Sequence, residues 1–380
     1  MAMPDKTPVR CPAIEHPDLP LADPAGLDPL LARLADPAPV TADAVFPLGT
    51  LRPDGRVDLC KQGLGPAGAR RVIPAAVASP HAAHLLLGTN AVGSEGARLL
   101  AGALTDGHGL QTLYLGCNRI GADGAAALAD RLAGDDTVRA LWLKRNPVGD
   151  AGARAVAGAL ARNRRLRSLD LVNTGVTADG LRALLDALAD RGAPLERLFL
   201  GGNGLGPDTA ELLAAFLREA GVRELYAPAN HLGDEGARTI AAAAAGLDRP
   251  VTLGLGGNGI GARGARALAG ALGGIEALDL GRPPSQRALG APANDLGDAG
   301  VRALAEAIPA SPLRRLEVRH TGFGYPAARA LSEAVARSGR MEYAGLGPGL
   351  PRRTKRAIAG NLRPASRVHE DVRAIGSLYR

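Results

Sequence analysis

The chain has 380 residues, a formal net charge of +7 and a composition that is 46% hydrophobic but only 3% aromatic. This composition supplies a sizeable core of Leu, Ala and Val, while no apolar run reaches the ~20 residues that a membrane helix needs. The three cysteines have neither disulfide nor zinc-ligand spacing, and the first residues lack the apolar stretch of a secretory signal. We therefore expect a soluble cytoplasmic protein with free thiols and no membrane segment, and the Ala, Gly, Arg and Pro bias is typical of a high-GC bacterial source.

Residues 1–50 are predicted to form an N-terminal arm and cap. The stretch 1–25 is rich in proline and acid and has no periodicity, which is typical of a loosely held arm, and a short helix follows near 26–34. The segments 46–51 and 56–60 flank a Pro-Asp-Gly turn and are predicted to pair as a hairpin. This hairpin would cover the start of the regular pattern that comes next.

A unit of about 28 residues repeats through residues 51–346. Copies at 113–132, 141–160 and 253–272 share the pattern L-x-L-x-x-N-x-(I/V)-G-x-x-G-A, followed by an Ala/Leu-rich run. So regular a period indicates a solenoid, because one unit cannot bury its apolar face without neighbours. The asparagine position is occupied in turn by Gln62, Asn90, Asn118, Asn146, Thr174, Asn203, Asn230, Asn258, Asn294 and Thr321.

Each repeat is predicted to contain a strand, a turn and a helix. The alternation in Leu113-Tyr114-Leu115 places both leucines on one face and the tyrosine on the other, as in a half-buried strand. The asparagine that follows can bond backbone groups of the loop, so stacked copies would form a ladder. Glycines three residues later suit a backbone conformation that a Cβ disfavours, and small residues three further on would let the helix pack closely.

At this period the pattern resembles the ribonuclease-inhibitor class of leucine-rich repeats, which also occurs in Ran GTPase-activating proteins and in the sensor ends of innate-immune receptors. The resemblance covers roughly residues 57–346. It implies an α/β leucine-rich-repeat solenoid, a horseshoe with parallel strands on the concave face and helices on the convex face.

The residues between the two strand leucines are predicted to point to the concave face. Four of the ten aromatic residues of the chain fall in this row, which makes them candidate anchors of an interface. The alternative is that these aromatics serve only as strand formers that cover neighbouring strands. The predicted partner-binding site consists of Tyr114, Trp142, Lys144, Arg145, Asp170, Phe199 and Tyr226.

A cluster of carboxylates is predicted further along the row. Asp279, Glu317 and Glu342 would lie on successive strands, and adjacent like charges need an offset. The candidates for that offset are Arg282 and Arg287, a basic partner or a cation, although the absence of recognisable ligand spacing gives no metal prediction. The predicted secondary acidic site consists of Asp279, Glu317, Glu342 and His320.

One repeat is 36 residues long instead of 28, and its extra length lies at 281–292. Insertions in solenoids map to loops on one face, often the binding face. Long surface loops are also tolerated at little energetic cost. Both a functional and a neutral insertion therefore fit the sequence.

No catalytic residue is predicted. Cys117 has Arg145 beside it but no histidine in an adjacent slot, and every G-x-G-x-x-G-like string is part of the repeat. The predicted function is a non-catalytic scaffold that binds a protein or peptide on the concave face, without a cofactor. The alternative is an enzyme, or an accessory to one, with its site around Asp279, Glu317, His320 and Glu342.

Residues 347–380 are predicted to form a basic C-terminal cap, with a last strand at 341–343 before it and closing helices that extend to residue 379. The last thirty residues carry eight basic side chains against Glu370 and Asp371. Such charge can attract nucleic acid, but no aromatic stacking platform accompanies it. A solvated cap is therefore favoured over nucleic-acid binding, and the oligomeric state has no signature in the sequence.

Overall fold

The computed structural model describes residues 8–189, 191–284, 286–347 and 349–375, and the chain divides into two compact units. The N-terminal unit comprises Pro8–Leu195 and the segment that starts at Val368, and the C-terminal unit comprises Glu196–Arg367. In both units short strands alternate with longer helices. This is the α/β solenoid architecture that the repeat predicts.

The strands of the N-terminal unit follow one another in sequence order. The first three pair antiparallel, which confirms the predicted hairpin, and the third to seventh pair in parallel. The strands are β1 (Ala44–Val45), β2 (Thr50–Leu51), β3 (Arg56–Asp58), β4 (His84–Leu86), β5 (Thr112–Tyr114), β6 (Ala140–Trp142) and β7 (Ser168–Asp170). The helices up to residue 189 are α1 (Pro12–Glu15), α2 (Asp28–Ala35), α3 (Gly65–Ala78), α4 (Gly93–Ala103), α5 (Ala122–Leu132), α6 (Gly149–Leu160) and α7 (Ala178–Ala189).

The C-terminal unit repeats the same parallel arrangement. Each strand pairs with the next one in sequence. The strands are β8 (Arg197–Phe199), β9 (Glu224–Tyr226), β10 (Val251–Gly254), β11 (Ile275–Asp279), β12 (Arg315–Glu317) and β13 (Tyr343–Gly345). The helices are α8 (Ala210–Arg218), α9 (Gly233–Ala245), α10 (Ala262–Gly270), α11 (Gly297–Ala307), α12 (Tyr325–Ser338) and α13 (Arg352–Ala359).

The core lies between the strands and the helices of each unit. The leucines at the strand centres are fully buried, for example Leu113 and Leu253 at 0% exposure. The helices approach closely because small residues occupy their first turn. At Gly152 an added Cβ would lie 2.5 Å from Cγ1 of Val148, so a larger residue would push the helix outwards.

The predicted asparagine ladder is present in both units. Asn118 is representative: its Oδ1 accepts from the backbone N–H of Asn90 at 2.9 Å, and its Nδ2 donates to the carbonyls of Leu87 and Leu115 at 2.9 and 3.0 Å. Each ladder asparagine therefore satisfies backbone groups of two successive turns. Where threonine replaces asparagine, as at Thr174, the hydroxyl donates to the carbonyl of Leu171 at 2.8 Å.

The turn that carries the ladder depends on a left-handed backbone one residue earlier. Cys117, Arg145 and His320 adopt φ values of 63°, 56° and 62° at this position. The predicted need for glycine three residues after the ladder position holds only in some repeats: φ is 68° at Gly93 but −86° at Gly121. The conformational strain of the repeat is therefore concentrated just before the asparagine.

A second polar series, absent from the sequence predictions, lies in the turns between helix and strand of the N-terminal unit. His108 Nε2 lies 2.7 Å from Asp135 Oδ2, and Asn163 Nδ2 donates to the backbone carbonyl of Asp135 at 2.8 Å. Arg191 Nε in turn donates to the carbonyl of Asn163 at 2.6 Å. All four side chains are buried, so this series satisfies polar backbone groups that the ladder does not reach.

The N-terminal arm is bound to the repeats, not loosely held as predicted. The backbone N–H of Arg10 donates to Asn173 Oδ1 at 2.8 Å, and Asn173 Nδ2 donates to the carbonyl of Pro8 at 3.0 Å. The N–H of Ala22 donates to the carbonyl of Gly63 at 2.8 Å. Residues 8–22 are thus held at two points along the turns that follow the strands. At the first point, Asn173 lies beside the ladder and points to the arm.

The C-terminal region, predicted as one basic cap, divides between the two units. Helix α13 belongs to the C-terminal unit. A further short helix, α14 (Glu370–Ala374), belongs to the N-terminal unit. The predicted extension to residue 379 lies outside the described residues beyond 375.

Candidate functional site

The sheet of the N-terminal unit has one face covered by the helices of the repeats and one that those helices leave open. The first and third residues of each strand point to the second face, because side chains alternate along a strand. The parallel register sets them in two rows. The helix-free face of this unit consists of His84, Thr112, Ala140 and Ser168 in one row and Leu86, Tyr114, Trp142 and Asp170 in the other.

Most side chains of the helix-free face are covered, although the sequence predicted an open row. Tyr114 is 6% exposed, Trp142 1% and Asp170 2%. In the other row Ala140 and Ser168 are 0% and 1% exposed. The aromatic rings therefore lie in the predicted row but are not available to a partner in this conformation.

Tyr114 is held by glycines at the ends of the strands. Its ring lies against Gly88, where an added Cβ would be 2.4 Å from the ring atom Cε1, and its hydroxyl lies near Gly116. The Lys144 Nζ lies 5.6 Å from the ring centroid, which is within the range of a cation–π contact. Lys144 and Arg145, predicted to frame the aromatics, are both half-buried.

Asp170 has a role within its own turn. Its Oδ1 accepts from the backbone N–H of Val172 at 2.8 Å, just as Asp58 accepts from Cys60 at 3.2 Å. Burial raises the pKa of the Asp170 carboxyl to about 6, although the charge of Lys144 opposes this shift. The sequence prediction of a partner-binding role did not anticipate this local bond, which an acidic residue at a strand end could have suggested.

A C-terminal segment of the same chain lies on the helix-free face. Glu370 Oε1 accepts from Arg139 Nη1 at 2.5 Å, and Arg139 immediately precedes β6. Asp371 Oδ2 accepts from the Ser168 hydroxyl at 3.0 Å, and the carboxyl of Asp371 is 1% exposed. Residues 369–375 are called the tail segment below.

The side of the tail segment that faces the sheet carries one carboxylate and two apolar residues. Asp371, Ala374 and Ile375 are 1%, 4% and 1% exposed, whereas Glu370 and Arg373 are exposed. Positions i, i+3 and i+4 share one side of a helix. Ala374 and Ile375 therefore lie on the same side as Asp371, which contacts Ser168. The tail segment thus contacts the helix-free face through both a carboxylate and apolar side chains.

The charge of Asp371 in the tail segment acts on His84 of the helix-free face. Burial lowers the pKa of His84, and the charges of Asp54 and Asp371 act in the opposite direction. Its Nδ1 lies 2.9 Å from the hydroxyl of Thr112. His84 therefore belongs to the polar end of the same surface.

In the C-terminal unit, two further residues of the predicted binding site form a stacked pair. The rings of Phe199 and Tyr226 have centroids 4.6 Å apart and planes inclined by 6°. The Tyr226 hydroxyl donates to Glu224 Oε2 at 2.9 Å, and burial raises the pKa of this phenol. Both rings are only half-buried, so this pair offers an apolar surface that Trp142 does not.

The predicted carboxylate cluster is wrong in one member. The strand register pairs Asp279 with Glu317 and then Glu317 with Gly345, so Glu342 does not occupy the next position of the row. The last strand lies at Tyr343–Gly345, two residues later than predicted. Glu342 instead pairs with Arg314 and accepts from the backbone N–H of Ser366 at 2.9 Å.

The charge of Glu317 is offset by neighbours other than the predicted arginines. Arg319 Nε and the Tyr343 hydroxyl donate to its Oε2 at 2.8 and 2.7 Å. Burial alone would raise the pKa of Glu317, but these donors lower it. Burial raises the pKa of the adjacent Asp279, whereas Arg282 and Arg287 are exposed.

The inserted loop packs on the preceding turn. Added Cβ atoms at Gly257 and Gly259 would lie 3.0 Å from Pro283 and Pro292, respectively. The backbone N–H of Gly259 donates to the carbonyl of Pro292 at 3.2 Å. The described part of the loop therefore packs against glycines of the preceding turn. The charge of Glu317 is offset by Arg319 and not by this part of the loop.

The residues predicted as acid–base candidates do not form one common site. His320 is exposed and lines an open pocket of about 500 Å³ with Tyr343, Lys355 and Ile358. Within the described ranges no three His, Cys, Asp or Glu side chains are grouped to hold a metal ion. A hydrogen bond with Cys11, together with burial, raises the pKa of Cys117, which disfavours a reactive thiolate.

Comparisons with known proteins agree with the repeat architecture. A family model described as a leucine-rich repeat matches residues 110–129, 162–185 and 251–269, so leucine-rich repeats occur in both units. No curated protein matches the sequence significantly. None of the helices in the described part of the chain is long and apolar enough to cross a membrane.

Two solved structures illustrate the similarity. Leiomodin-1 actin-binding site 2 is 16% identical with a TM-score of 0.35, over 44% of this chain and 89% of that chain. A chain of the yeast Rad7 and Elc1 complex is 13% identical with a TM-score of 0.47, over 79% of this chain and 77% of that chain. These values do not distinguish the ribonuclease-inhibitor class from other leucine-rich repeats.

Proposed function

We propose that this protein is a non-catalytic scaffold that binds a protein or peptide on the helix-free face of its N-terminal unit. The observation that carries the proposal is the tail segment, a short helix already held on this face by charged and apolar contacts. A surface that holds one amphipathic helix in this way has the chemistry to hold another.

We propose that release of the tail segment also uncovers the aromatic residues of this face. Trp142 lies in the same strand as Ala140, whose register partner Ser168 is bound by Asp371. A partner that replaced the tail segment would meet Trp142 and the edge of Tyr114, and large aromatic side chains are common anchors of interfaces. The half-exposed Phe199–Tyr226 pair is proposed as a separate contact surface of the C-terminal unit.

The alternative of catalysis in the C-terminal unit has weaker support. One candidate base, Glu317, already accepts bonds from Arg319 and Tyr343, which lower its pKa. A general base works best with a pKa near the operating pH. We therefore assign these charges to holding adjacent strands together.

The test uses the full chain with the charges of the tail segment reversed, Glu370→Arg and Asp371→Arg. A displayed library of random helical peptides is selected against this variant, and binding of the enriched peptides is measured by fluorescence anisotropy. We expect peptides that bind the charge-reversed chain and lose at least tenfold in affinity when Ala140→Glu is added. Ala140 is 0% exposed in the centre of the face, so a glutamate there would block it.

A matched control carries the same charge change on exposed residues of α7, Asp179→Arg and Asp186→Arg. This control should bind the enriched peptides no better than wild type does. Thermal melting by circular dichroism establishes that each variant is folded. Failure of any peptide to enrich, or equal binding with and without Ala140→Glu, would contradict the proposed function.

A further inference from the structure

We infer that the tail segment is a built-in competitor, and that the partner of the helix-free face carries the same recognition pattern. That pattern is two adjacent carboxylates at the start of a helical turn, followed by a small apolar residue and a branched apolar residue three and four positions after the second carboxylate. The inference rests on the proposed function and adds to it both the chemistry of the partner and the way in which access is controlled.

The acidic pair is the first reason for this inference. Glu370 and Asp371 are the only acidic residues among the last thirty of the chain, which carry eight basic side chains. Both are engaged: Glu370 with Arg139 at 2.5 Å and Asp371 with Ser168 at 3.0 Å. A generally basic segment would be a poor match for Arg139, so the two carboxylates select how this segment docks.

The receiving surface supplies complementary charge at the same place. Arg139 is 15% exposed and also lies 4.0 Å from Asp371 through its Nε. It is fixed by Gln111, which accepts from its Nη2. A positioned guanidinium beside a serine hydroxyl favours a paired acidic ligand over a basic or neutral one.

The apolar part of the pattern sets the orientation of the ligand. Ala374 and Ile375 are 4% and 1% exposed, and they lie on the same side of the helix as Asp371. His369 begins the helix and accepts from the backbone N–H of Asp371 at 3.2 Å. A partner segment must therefore start its helix close to the two acids and place its apolar residues one turn later.

The asparagine ladder does not need the tail segment for its hydrogen bonds. The ladder residue nearest to β6, Asn146, makes its bonds to the carbonyls of Leu115 and Leu143 at 2.9 Å each. The ladder beside β6 therefore forms without a contribution from the tail segment. Because the tail segment is part of the same chain, its effective concentration is on the order of millimolar, and a partner must exceed this advantage to bind.

The experiment measures binding of a fluorescein-labelled synthetic peptide with the sequence of residues 366–375. It compares full-length wild type with the full-length Glu370→Arg/Asp371→Arg variant. We expect the peptide to bind the variant at least tenfold more tightly, because the wild-type face is occupied. Adding Arg139→Gln should lower the affinity of the peptide for the variant at least tenfold, because the guanidinium that pairs with Glu370 is removed without creating a new partner for the reversed charges of the tail segment.

A second readout is independent of the charge-reversed protein. Hydrogen exchange of residues 369–375 should accelerate at least tenfold in full-length Arg139→Gln, while Arg154→Gln on the exposed side of α6 should leave it unchanged. Equal binding of the peptide to wild type and variant, or unchanged exchange in Arg139→Gln, would overturn the inference. If the peptide library instead enriches sequences without an acidic pair that still need an open face, the proposed function stands and this inference fails.

Discussion

The ring of Tyr114 lies directly on the backbone of Gly88 in the preceding repeat, and an added Cβ at Gly88 would be 2.4 Å from Cε1 of the ring. The same relationship recurs in the C-terminal unit, where a Cβ at Gly254 would be 2.6 Å from Cδ1 of Tyr226. In each unit an aromatic side chain of the helix-free row is therefore positioned by a glycine in a neighbouring repeat. The ring occupies the space that a side chain at the glycine would fill.

Gly88→Ala should lower the free energy of unfolding by about 1–3 kcal/mol, because the new methyl group must displace the ring of Tyr114. In the background of Tyr114→Ala the same change should cost much less, so the two effects would not be additive. Urea unfolding of the two single variants and the double variant measures this coupling. Gly102→Ala, where a Cβ meets nothing within 4 Å, is the matched control and should not destabilise.

Asn118→Ala should lower the free energy of unfolding by about 3 kcal/mol or more, because several buried backbone groups lose their partner at once. Asn118→Thr should cost clearly less, because a threonine hydroxyl keeps one carbonyl bond, as Thr174 does to Leu171. Both variants are compared by urea unfolding. Equal losses for alanine and threonine would argue against a hydrogen-bonding role for this position.

Asp170→Asn should stabilise the protein at neutral pH. Burial raises the pKa of Asp170 to about 6, so the folded state binds more protons than the unfolded state between about pH 4 and pH 6. Wild-type stability therefore falls as the pH rises through this window, by up to about 3 kcal/mol. Asparagine can still accept from Val172, so the variant should gain that amount above pH 6 and nothing below pH 4.

Asp135→Asn should show the opposite pH dependence. Burial would raise the pKa of Asp135, but the backbone N–H of Val138 and the His108 side chain lower it overall. Its contribution is therefore present above the ordinary aspartate pKa and disappears as the pH falls below about 4. We expect a loss of about 1–3 kcal/mol at pH 7 that vanishes at low pH, measured by urea unfolding at several pH values.

The fluorescence of Trp142 is a better probe of the helix-free face than the variant Trp142→Ala. Trp142 is 1% exposed, so truncation to alanine should cost about 3–5 kcal/mol through the cavity it leaves, whatever its role in binding. As the single tryptophan of the chain, it also reports on the face by its own fluorescence. Its emission should shift to longer wavelength in the Glu370→Arg/Asp371→Arg variant, while an unchanged emission would mean that the face stays covered.

The period of the repeat was enough to predict the strands, the ladder and the row that contains Tyr114 and Glu317. The prediction departed from the period at the last strand, because Ala344 occupies the core position there and the more strand-like Met341 and Tyr343 shifted the predicted strand two residues towards the N-terminus. Ala344 pairs with Leu316, which is 28 residues earlier in sequence. Adherence to the period would therefore have excluded Glu342 from the row.

The tail segment could not be predicted from periodicity, because it is a single helix of five residues outside the repeats. Its contacts are long-range in sequence: Arg139 and Glu370 are 231 positions apart. The isolated acidic pair in a basic region was a signal, but the sequence does not say where it docks. Burial of the aromatic row was missed for the same reason, since what covers a strand face depends on the tertiary fold.

The hydrogen bond from the backbone N–H of Asn258 to Asn294 Oδ1 has a length of 2.8 Å, although 36 residues separate the two, against 2.9 Å for the 28-residue pair Asn90 and Asn118. The hydrogen bond between two ladder asparagines thus does not depend on the length of chain between them. The largely exposed turn at 287–290, between the parts of the loop that pack on the preceding repeat, is consequently a place where foreign sequence, such as an epitope or a reporter loop, can be inserted without disturbing the stacking of the repeats on either side.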